Sequence, residues 1–387
     1  MTETATVIET DILIIGAGPV GMTLALALMQ GGSPQRILLL DQNPRGSYTK
    51  DPRALALSHG TRQLLETLDA WHMNAGTAIH DIHISQAGGF GRTVITREEQ
   101  CVEALGYVMR YRDLASALDA RLNENLILDA STVLATRMER NGALVTLLRQ
   151  GVEMQIRTQL IVHAEGAPTE SADIRTFDYH QHAVLAEVRP QPAHQQRAWE
   201  RFTADGPLAL LPLGADYSVV FTVPPEKADA LMAMDDRAFL GALQQQFGSR
   251  LRFTHTSPRA HFPLKLRLRR ELCAEREVWI GNAAQTLHPV SGQGFNLGIR
   301  DAWELANALL SGDSADPGDA HTLQAYAQHR RIDRTGSAAF TDGIVRVFSN
   351  DFTPLRIARG LGLLALDLCP PARKFVAGRM IWGAREI

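Results

Sequence analysis

Apolar residues fall along this chain in two rhythms. Continuous runs at Ile12–Ile15, 36–40, 160–162 and 278–280 are short, as strands buried on both faces are. Apolar positions three or four apart, at 24–29 and at Leu114, Leu118 and Leu122, predict helices. Residues 11–41 therefore read strand, loop, helix, strand, with Gly31-Gly32 placed to stop the helix. Residues 107–122 begin as a strand and turn into a helix. Ser58 is placed to cap a helix that carries Leu64, Leu65 and Leu68. Between 180 and 265 the pattern changes. Residues 183–188, 208–213 and 217–223 read as strands, the last two joined by a turn at Gly214-Ala215-Asp216. Residues 79–85 and 93–96 read as a hairpin around Gly88-Gly89-Phe90-Gly91. Consecutive antiparallel strands predict a second sheet covering a pocket, ending at Phe262-Pro263-Leu264. After it, 278–280 can rejoin the first sheet, and a helix with Leu297, Asp301, Leu305 and Leu309 follows.

Length and composition narrow this picture. A chain of 387 residues suggests two domains. A net charge of −3 gives no general attraction to nucleic acid. Cys101, Cys273 and Cys369 lie far apart without C-x-x-C spacing, so reduced thiols in a cytoplasmic protein are expected. The start, MTETATVIETD, has no basic segment, and no signal peptide is expected. No apolar run approaches the roughly 20 residues of a spanning helix.

The loop between the first strand and helix is GAGPVG. Gly16 permits a tight turn, Gly18 lets a pyrophosphate approach the backbone, and Gly21 lets helix and strand pack closely. Pro19 suits the first helical turn, whose N–H groups favour an anion. Asp41 ends the second strand and can accept hydrogen bonds from ribose hydroxyls, which disfavours a 2′-phosphate there. Dinucleotide binding follows; a tight turn without ligand would leave the Asp41 carboxylate without a role. Arg53 can bind a phosphate or lie over a cofactor ring, a solvated arginine being the plain alternative. Arg110 and Arg112 can face cofactor phosphates or simply the solvent. Residues 281–298, GNAAQTLHPVSGQGFNLG, form a second glycine-rich loop that opens a helix at Gly292-Gln293-Gly294. Its N–H groups would favour charge on a reduced flavin edge. His288 can touch flavin or substrate, a structural loop histidine being the alternative. Neither a Ser/His/Asp triad nor a metal-spaced His/Cys cluster is present in the pattern.

GAGPVG, HAEGAP and GNAAQTLHPVSGQG together resemble the three fingerprints of the single-component FAD-dependent aromatic hydroxylases. The resemblance covers most of the chain. It is nearest the UbiH/COQ6 group of ubiquinone-biosynthesis hydroxylases, in GNAAQTLHP, in GQGFNLG and in Glu200-Arg201-Phe202-Thr203 with 206–212. Asn282 stands where most of the wider family has an aspartate that binds the flavin ribitol, and Gln285 where many have histidine. UbiH-type chains share both. Glu165 replaces the usual aspartate of the second fingerprint, which puts the NAD(P)H-linked role of that segment in question.

The resemblance implies an α/β fold. A Rossmann-like, glutathione-reductase-like FAD-binding domain with a parallel sheet (1–78, 104–176 and 276–340) is interleaved with a mainly antiparallel substrate domain (79–103 and 177–275). A C-terminal helical segment (341–387) follows. It implies FAD held by Gly16, Gly18, Pro19, Gly21, Asp41, Arg53, Arg110, Gly281, Asn282, Gly292, Gln293, Gly294 and Asn296, with His288 and Pro289 near the flavin. NAD(P)H is the implied transient donor, and oxygen and a polyprenyl methoxyphenol the implied partners, reacting through a flavin C4a-hydroperoxide. A ubiquinone-biosynthesis complex and peripheral contact with the inner face of the membrane are also implied. The C-terminal stretch suits the latter by mixing apolar residues with Arg356, Arg359, Arg373, Lys374 and Arg379. A prenyl-chain reductase, a hydroxylase acting at a different ring position, or a non-enzymatic prenyl carrier of the same fold are the alternatives.

Overall fold

The computed structural model describes residues 7–72, 75–167, 171–312, 314–350 and 352–383, with residue 291 described in its backbone only. The N-terminal hexapeptide, Pro168 of HAEGAP and the last four residues lie outside the described residues.

Ile12–Ile15 lies inside a six-stranded sheet. The order is Cys273–Ala274, Glu277–Trp279, Leu160–His163, Ile12–Ile15, Ile37–Leu40, Ile127–Leu128. Ile12 pairs with Leu160 on one side and Ile37 on the other, both in parallel. Successive side chains point to opposite faces. Ile12 and Ile14 pack with Leu24, Leu28 and Leu305 from the helices Pro19–Gln30 and Gln293–Ser311. Leu13 and Ile15 pack with Ala143, Val145 and Ile156 of a second sheet. Both faces are covered, which explains a continuous apolar run where an alternating one would have served a half-exposed strand. Full burial of each such side chain contributes about 1.5–3 kcal/mol.

The covering sheet, in the order Val7–Glu9, Val152–Thr158, Gly142–Arg149, Ser131–Glu139, was not among the expected elements. Its signal was turn chemistry. Asn141-Gly142 is a favoured hairpin dipeptide, and Gln150 and Gly151 both have positive φ, 51° and 81°, as a type I′ turn requires.

The large sheet has nine strands. Its path runs Gln285–Thr286, Ala260–Arg269, Ile174–Gln191, Asp216–Val223, Pro207–Leu213, Arg197–Phe202, Asp81–Gln86, Arg92–Thr96, with Arg252–Thr256 also pairing Ile174–Gln191. The hairpin expected around Gly88–Gly91 forms, with Ser85 opposite Arg92. Two details differ. The strand expected at 79–85 breaks at His80: Thr77–Ile79 joins a small sheet with Gly106–Arg110 and Ala54–Ser58, while Asp81–Gln86 joins the large one. The antiparallel region also does not end at Phe262-Pro263-Leu264 but continues to Arg269. Pro263 pairs with His182 on one side, and the strand's other neighbour pairs only at Arg267 and Leu268, so the proline lies on an edge, where it is tolerated.

Helices Ala320–Phe348, Thr353–Leu368 and Pro370–Trp382 follow. Arg359 and Arg373, expected on a basic rim, are buried instead. Arg359 donates to the carbonyls of Phe348 and Asn350, and Arg373 donates to Glu99 at 2.8 Å. They tie helix ends together, so Arg356, Lys374 and Arg379 remain the exposed cations. No helix among the described residues is long and apolar enough to cross a membrane.

Candidate functional site

Two cavities meet the ends of the two glycine loops. The first, of about 380 Å³, is polar and lined by Ala17, Gly18 and Pro19, by Asp41 and Arg45, and by Arg53 and Tyr111. The three glycines of the first loop are needed for different reasons. Gly16 has φ +108°, and a Cβ there would lie 2.5 Å from the carbonyl carbon of Ala164. A Cβ on Gly21 would lie 2.0 Å from the Gly16 oxygen. Both requirements are internal to the fold. Gly18 is different: the nearest atom to its Cβ position is the Tyr111 hydroxyl, 3.4 Å away. The space beside Gly18 is cavity, as close approach by a ligand requires. Gly18 is also the residue before the Pro19–Gln30 helix and offers no side chain to cap it. The first N–H groups and the positive end of the dipole are left for an anion.

Asp41 has a role in the protein as well as a place at the cavity. One carboxylate oxygen accepts the N–H of Ala17 and the other that of Asn43, each at 2.8 Å, which fixes the glycine turn against the second strand. Arg53 lies 4.7 Å over the Tyr111 ring and pairs with Asp51 at 2.6 Å. The structure does not bring Arg110 to this cavity. It forms a two-pronged ion pair with Glu187, at 2.6 and 3.0 Å.

The second cavity, of about 130 Å³, is apolar. Strand Ala54–Ser58 leads into it from the first: Arg53 lines one cavity, Ala56, Leu57 and Ser58 the other. Pro289, Val290, Gly292, Gln293 and Asn296 form its loop wall. Gly292 adopts the left-handed conformation at φ 61° and precedes the Gln293–Ser311 helix, again offering no side-chain cap. Asn296 is buried and ties the loop to the strand. It accepts the N–H of Ser58 at 2.8 Å and donates to the carbonyls of Ala56 and Gly292 at 2.9 and 2.7 Å. Gln293 donates to the Met380 carbonyl at 3.0 Å, joining the loop to the last helix. A polar cavity at one uncapped helix start, connected by one strand to an apolar cavity at another, fits a molecule with a diphosphate at one end and a flat ring at the other. The residues present therefore fit FAD.

Several lining residues were not among the expected ones. The cavity floor is one face of the large sheet, with Ile82, Ile84, Ala198, Ala209, Leu211 and Val220, and the roof comes from Ala377, Met380 and Ile381 of the last helix. Glu200 lies in that floor. Burial alone raises its carboxyl to about 8. The sequence signal was a charged residue in phase with apolar ones on a strand.

His288 is fully buried but does not line the cavity. Its Nδ1 accepts the N–H of Val290 at 3.1 Å, and its ring meets Tyr179 edge-on. Burial lowers its pKa to about 4, so it is neutral. Asn282 is exposed on the loop, beside Gly281. Gln285 turns away from the cavities into a buried ionic cluster. It donates to Asp301 at 2.5 Å and accepts from Arg334 at 3.0 Å. Asp301 also accepts the N–H of Gly281, at 3.1 Å, and pairs with Arg330 at 2.8 Å, and Asp333 joins Arg300 and Arg330. This cluster holds the start of the second loop. In the HAEG segment, Glu165 accepts from His163 at 3.1 Å and Glu277 does so at 2.9 Å. Burial lowers the His163 pKa, but the two carboxylates outweigh it and raise it to about 9.

The profile of a family described as an FAD binding domain matches residues 9–336. A ubiquinone hydroxylase, UbiL, of Rhodospirillum rubrum is 32% identical over 94% of this chain and 87% of its own length. The 3-demethoxyubiquinol 3-hydroxylase of Escherichia coli is 28% identical over 92% of this chain and 95% of its own. Among solved structures, p-nitrophenol 4-monooxygenase PnpA from Pseudomonas putida superposes with a TM-score of 0.76 at 15% identity, covering 98% of this chain and all of that one, a likeness of fold.

Proposed function

The chain belongs to the FAD-binding domain family, and from that premise we propose that it is an FAD-dependent monooxygenase that hydroxylates the ring of a polyprenyl methoxyphenol in ubiquinone biosynthesis. The observation that carries this is the pair of cavities at the two ends of one strand: an open space beside Gly18 at one helix start, and an apolar chamber of about 130 Å³ at the other. Curated relatives bearing ubiquinone-hydroxylase names along nearly the whole chain support the substrate class. Bound FAD supplies the redox chemistry, taking hydride from NAD(P)H and activating oxygen.

The protein's own residues bind, orient and exclude water. Gly16, Gly18, Pro19 and Gly21 present the first helix start to the diphosphate. Asp41 and Arg53 flank the adenosine side. Gly281, Asn282, Gly292, Gln293, Gly294 and Asn296 carry the ring side, with Pro289 against the ring. Arg110, paired with Glu187, positions the strand it ends. The Gln293 bond to the last helix closes the chamber and keeps water out.

A second assignment changes only the ring position, and the name of the Escherichia coli relative favours it. An isoprenoid tail leaving the chamber suits a protein that rests on the membrane. Exposed Phe352, Ile357, Leu361, Leu368 and Phe375, beside Arg356, Lys374 and Arg379, form a face for that contact.

The test is to load the purified protein with FAD and supply NADH or NADPH, oxygen and prenyl phenols that differ in ring substitution. A hydroxylated methoxyphenol identified by mass spectrometry is the expected product. Absence of flavin absorption after FAD addition, or a product with a saturated tail and no new oxygen, would remove the assignment.

A further inference from the structure

One ionisable side chain stands in the chamber, and the family fingerprints do not include it. Glu200 lies on strand Arg197–Phe202, opposite Ile84 on one neighbouring strand and Ala209 on the other, with Val220 next in the row. These four residues share one face of the sheet, and all four line the chamber. Its Oε1 is enclosed and has no hydrogen-bond partner. The surrounding charges are committed elsewhere. Arg197 pairs with Asp81, and Arg201 donates to the Gln246 carbonyl and lies near the Ser85 hydroxyl. From the last helix Arg373 pairs with Glu99, while Arg379 lies over Phe375. The polar groups on the opposite wall, Gln293 and Asn296, are neutral. A carboxyl group left without a partner in an apolar chamber costs stability and is retained only if something offsets it.

We propose that Glu200 is a catalytic residue: it binds the hydroxyl of the phenolic substrate and accepts its proton. This rests on the monooxygenase assignment above. The phenol O–H bond breaks, its electron pair stays on oxygen, and the proton joins a carboxylate oxygen of Glu200. Charge delocalised onto the ring makes the ortho and para carbons nucleophilic, and one of them forms the new C–O bond as the O–O bond of oxygen reduced by two electrons from NAD(P)H breaks, the other oxygen atom leaving as water. That carbon then loses its hydrogen as a proton to solvent, and Glu200 returns its own proton to the product oxygen. Overall, phenol, oxygen, NAD(P)H and one proton give the dihydroxy product, water and NAD(P)+. The ring carbon is oxidised and oxygen is reduced. Glu200 also fixes which carbon reacts, because one end of the ring is tied to it. The elevated carboxyl, near 8, lies closer to a phenol's pKa than an ordinary glutamate does, which favours proton sharing.

The test compares FAD-loaded wild type with Glu200→Gln and Glu200→Asp. The probe is a methoxyphenol carrying one isoprene unit beside the hydroxyl, titrated between about pH 6 and about pH 9. Ultraviolet difference spectra report ionisation of the bound phenol without turnover. Wild type should show bound phenolate rising with pH around 8, Glu200→Gln should show none, and Glu200→Asp should recover part of it. Hydroxylation should fall on the order of a hundredfold in Glu200→Gln, with flavin loading and flavin reduction unchanged. The methyl ether of the probe, which has no proton to give, should not be hydroxylated by wild type even if a variant fails to fold. Equal phenolate signal and turnover in wild type and Glu200→Gln, or turnover of the ether, would overturn the role of Glu200. Ionisation of bound phenol by wild type without any hydroxylated product would overturn the monooxygenase assignment and leave the proton transfer standing. No binding of the probe to wild type would overturn both.

Discussion

The two cavities are built in opposite ways. The polar one is lined mostly by one stretch of chain, from Ala17 to Arg53, completed by residues between Tyr111 and Asp129, and the Asp41 carboxylate fixes its glycine turn. The apolar one is assembled from many separated stretches between Ala56 and Ile381, tied together by side-chain bonds such as those of Asn296 and Gln293. The first recognises a charged group by backbone N–H donors at a fixed helix start. The second selects a shape by exclusion and keeps one carboxyl in an otherwise apolar wall. A local motif suffices for the cofactor's common end, and tertiary packing supplies the end where substrate differs.

The largest effect is expected where the second cavity depends on buried charge. Asp301→Ala removes the acceptor of Arg330, Gln285 and the Gly281 N–H together. It should destabilise the protein by about 3–5 kcal/mol, read from urea unfolding. A change below about 1 kcal/mol would mean that the ionic cluster does not hold the loop.

The glycine loop divides the next two effects. Gly16→Ala forces an L residue to φ +108° and against Ala164. A loss of about 1–3 kcal/mol in the FAD-free protein is expected. Gly18→Ala places its methyl in open cavity, so the FAD-free protein should unfold as wild type does while FAD affinity falls about tenfold, about 1.4 kcal/mol. If both variants lose stability alike, with no added loss of FAD affinity at Gly18, the distinction between fold glycine and ligand glycine fails.

Two pH effects are smaller and opposite in setting. Glu200 has its folded pKa raised from 4.5 to about 8. The unfolded state therefore loses its proton first, and wild type loses stability as pH rises through that window. Glu200→Gln lacks this loss, so its melting temperature should gain on wild type between about pH 5 and about pH 8. A constant gap would show that the carboxyl is not buried neutral. His163 has its folded pKa raised from 6.5 to about 9. Its contribution is fully present below about pH 6.5 and is lost as pH rises through about 9. The gap between wild type and His163→Gln in thermal unfolding should narrow across that range.

Much of the first cavity was legible because its determinants are adjacent in the chain. GAGPVG, Pro19 and Asp41 stand in one strand–helix–strand unit, where periodicity and glycine spacing carry information. The second loop was legible for the same reason. Arg110 was not, because nothing near it announces Glu187, which is 77 positions away. Gln285 stood out as a family feature, yet only the fold reveals that it turns toward Asp301 and Arg334. Arg359 and Arg373 looked like a basic rim because periodicity on a terminal helix does not say which arginines fold back to cap carbonyls or meet a glutamate. Pro263 misled for a physical reason: the strand's second neighbour pairs only at Arg267 and Leu268, so Pro263 lies on an edge, where a missing N–H is tolerated. Glu200 stands in a stretch that resembles UbiH-type chains, but its isolation depends on three neighbouring strands and a distant helix.

The most direct test of oxygen insertion at this paired site uses isotopically labelled molecular oxygen. The FAD-loaded protein is given NAD(P)H and the short-tailed methoxyphenol, and the product is analysed by mass spectrometry. One labelled oxygen atom in a new ring hydroxyl is the predicted result. Label confined to water or hydrogen peroxide, with the ring unaltered, would contradict it.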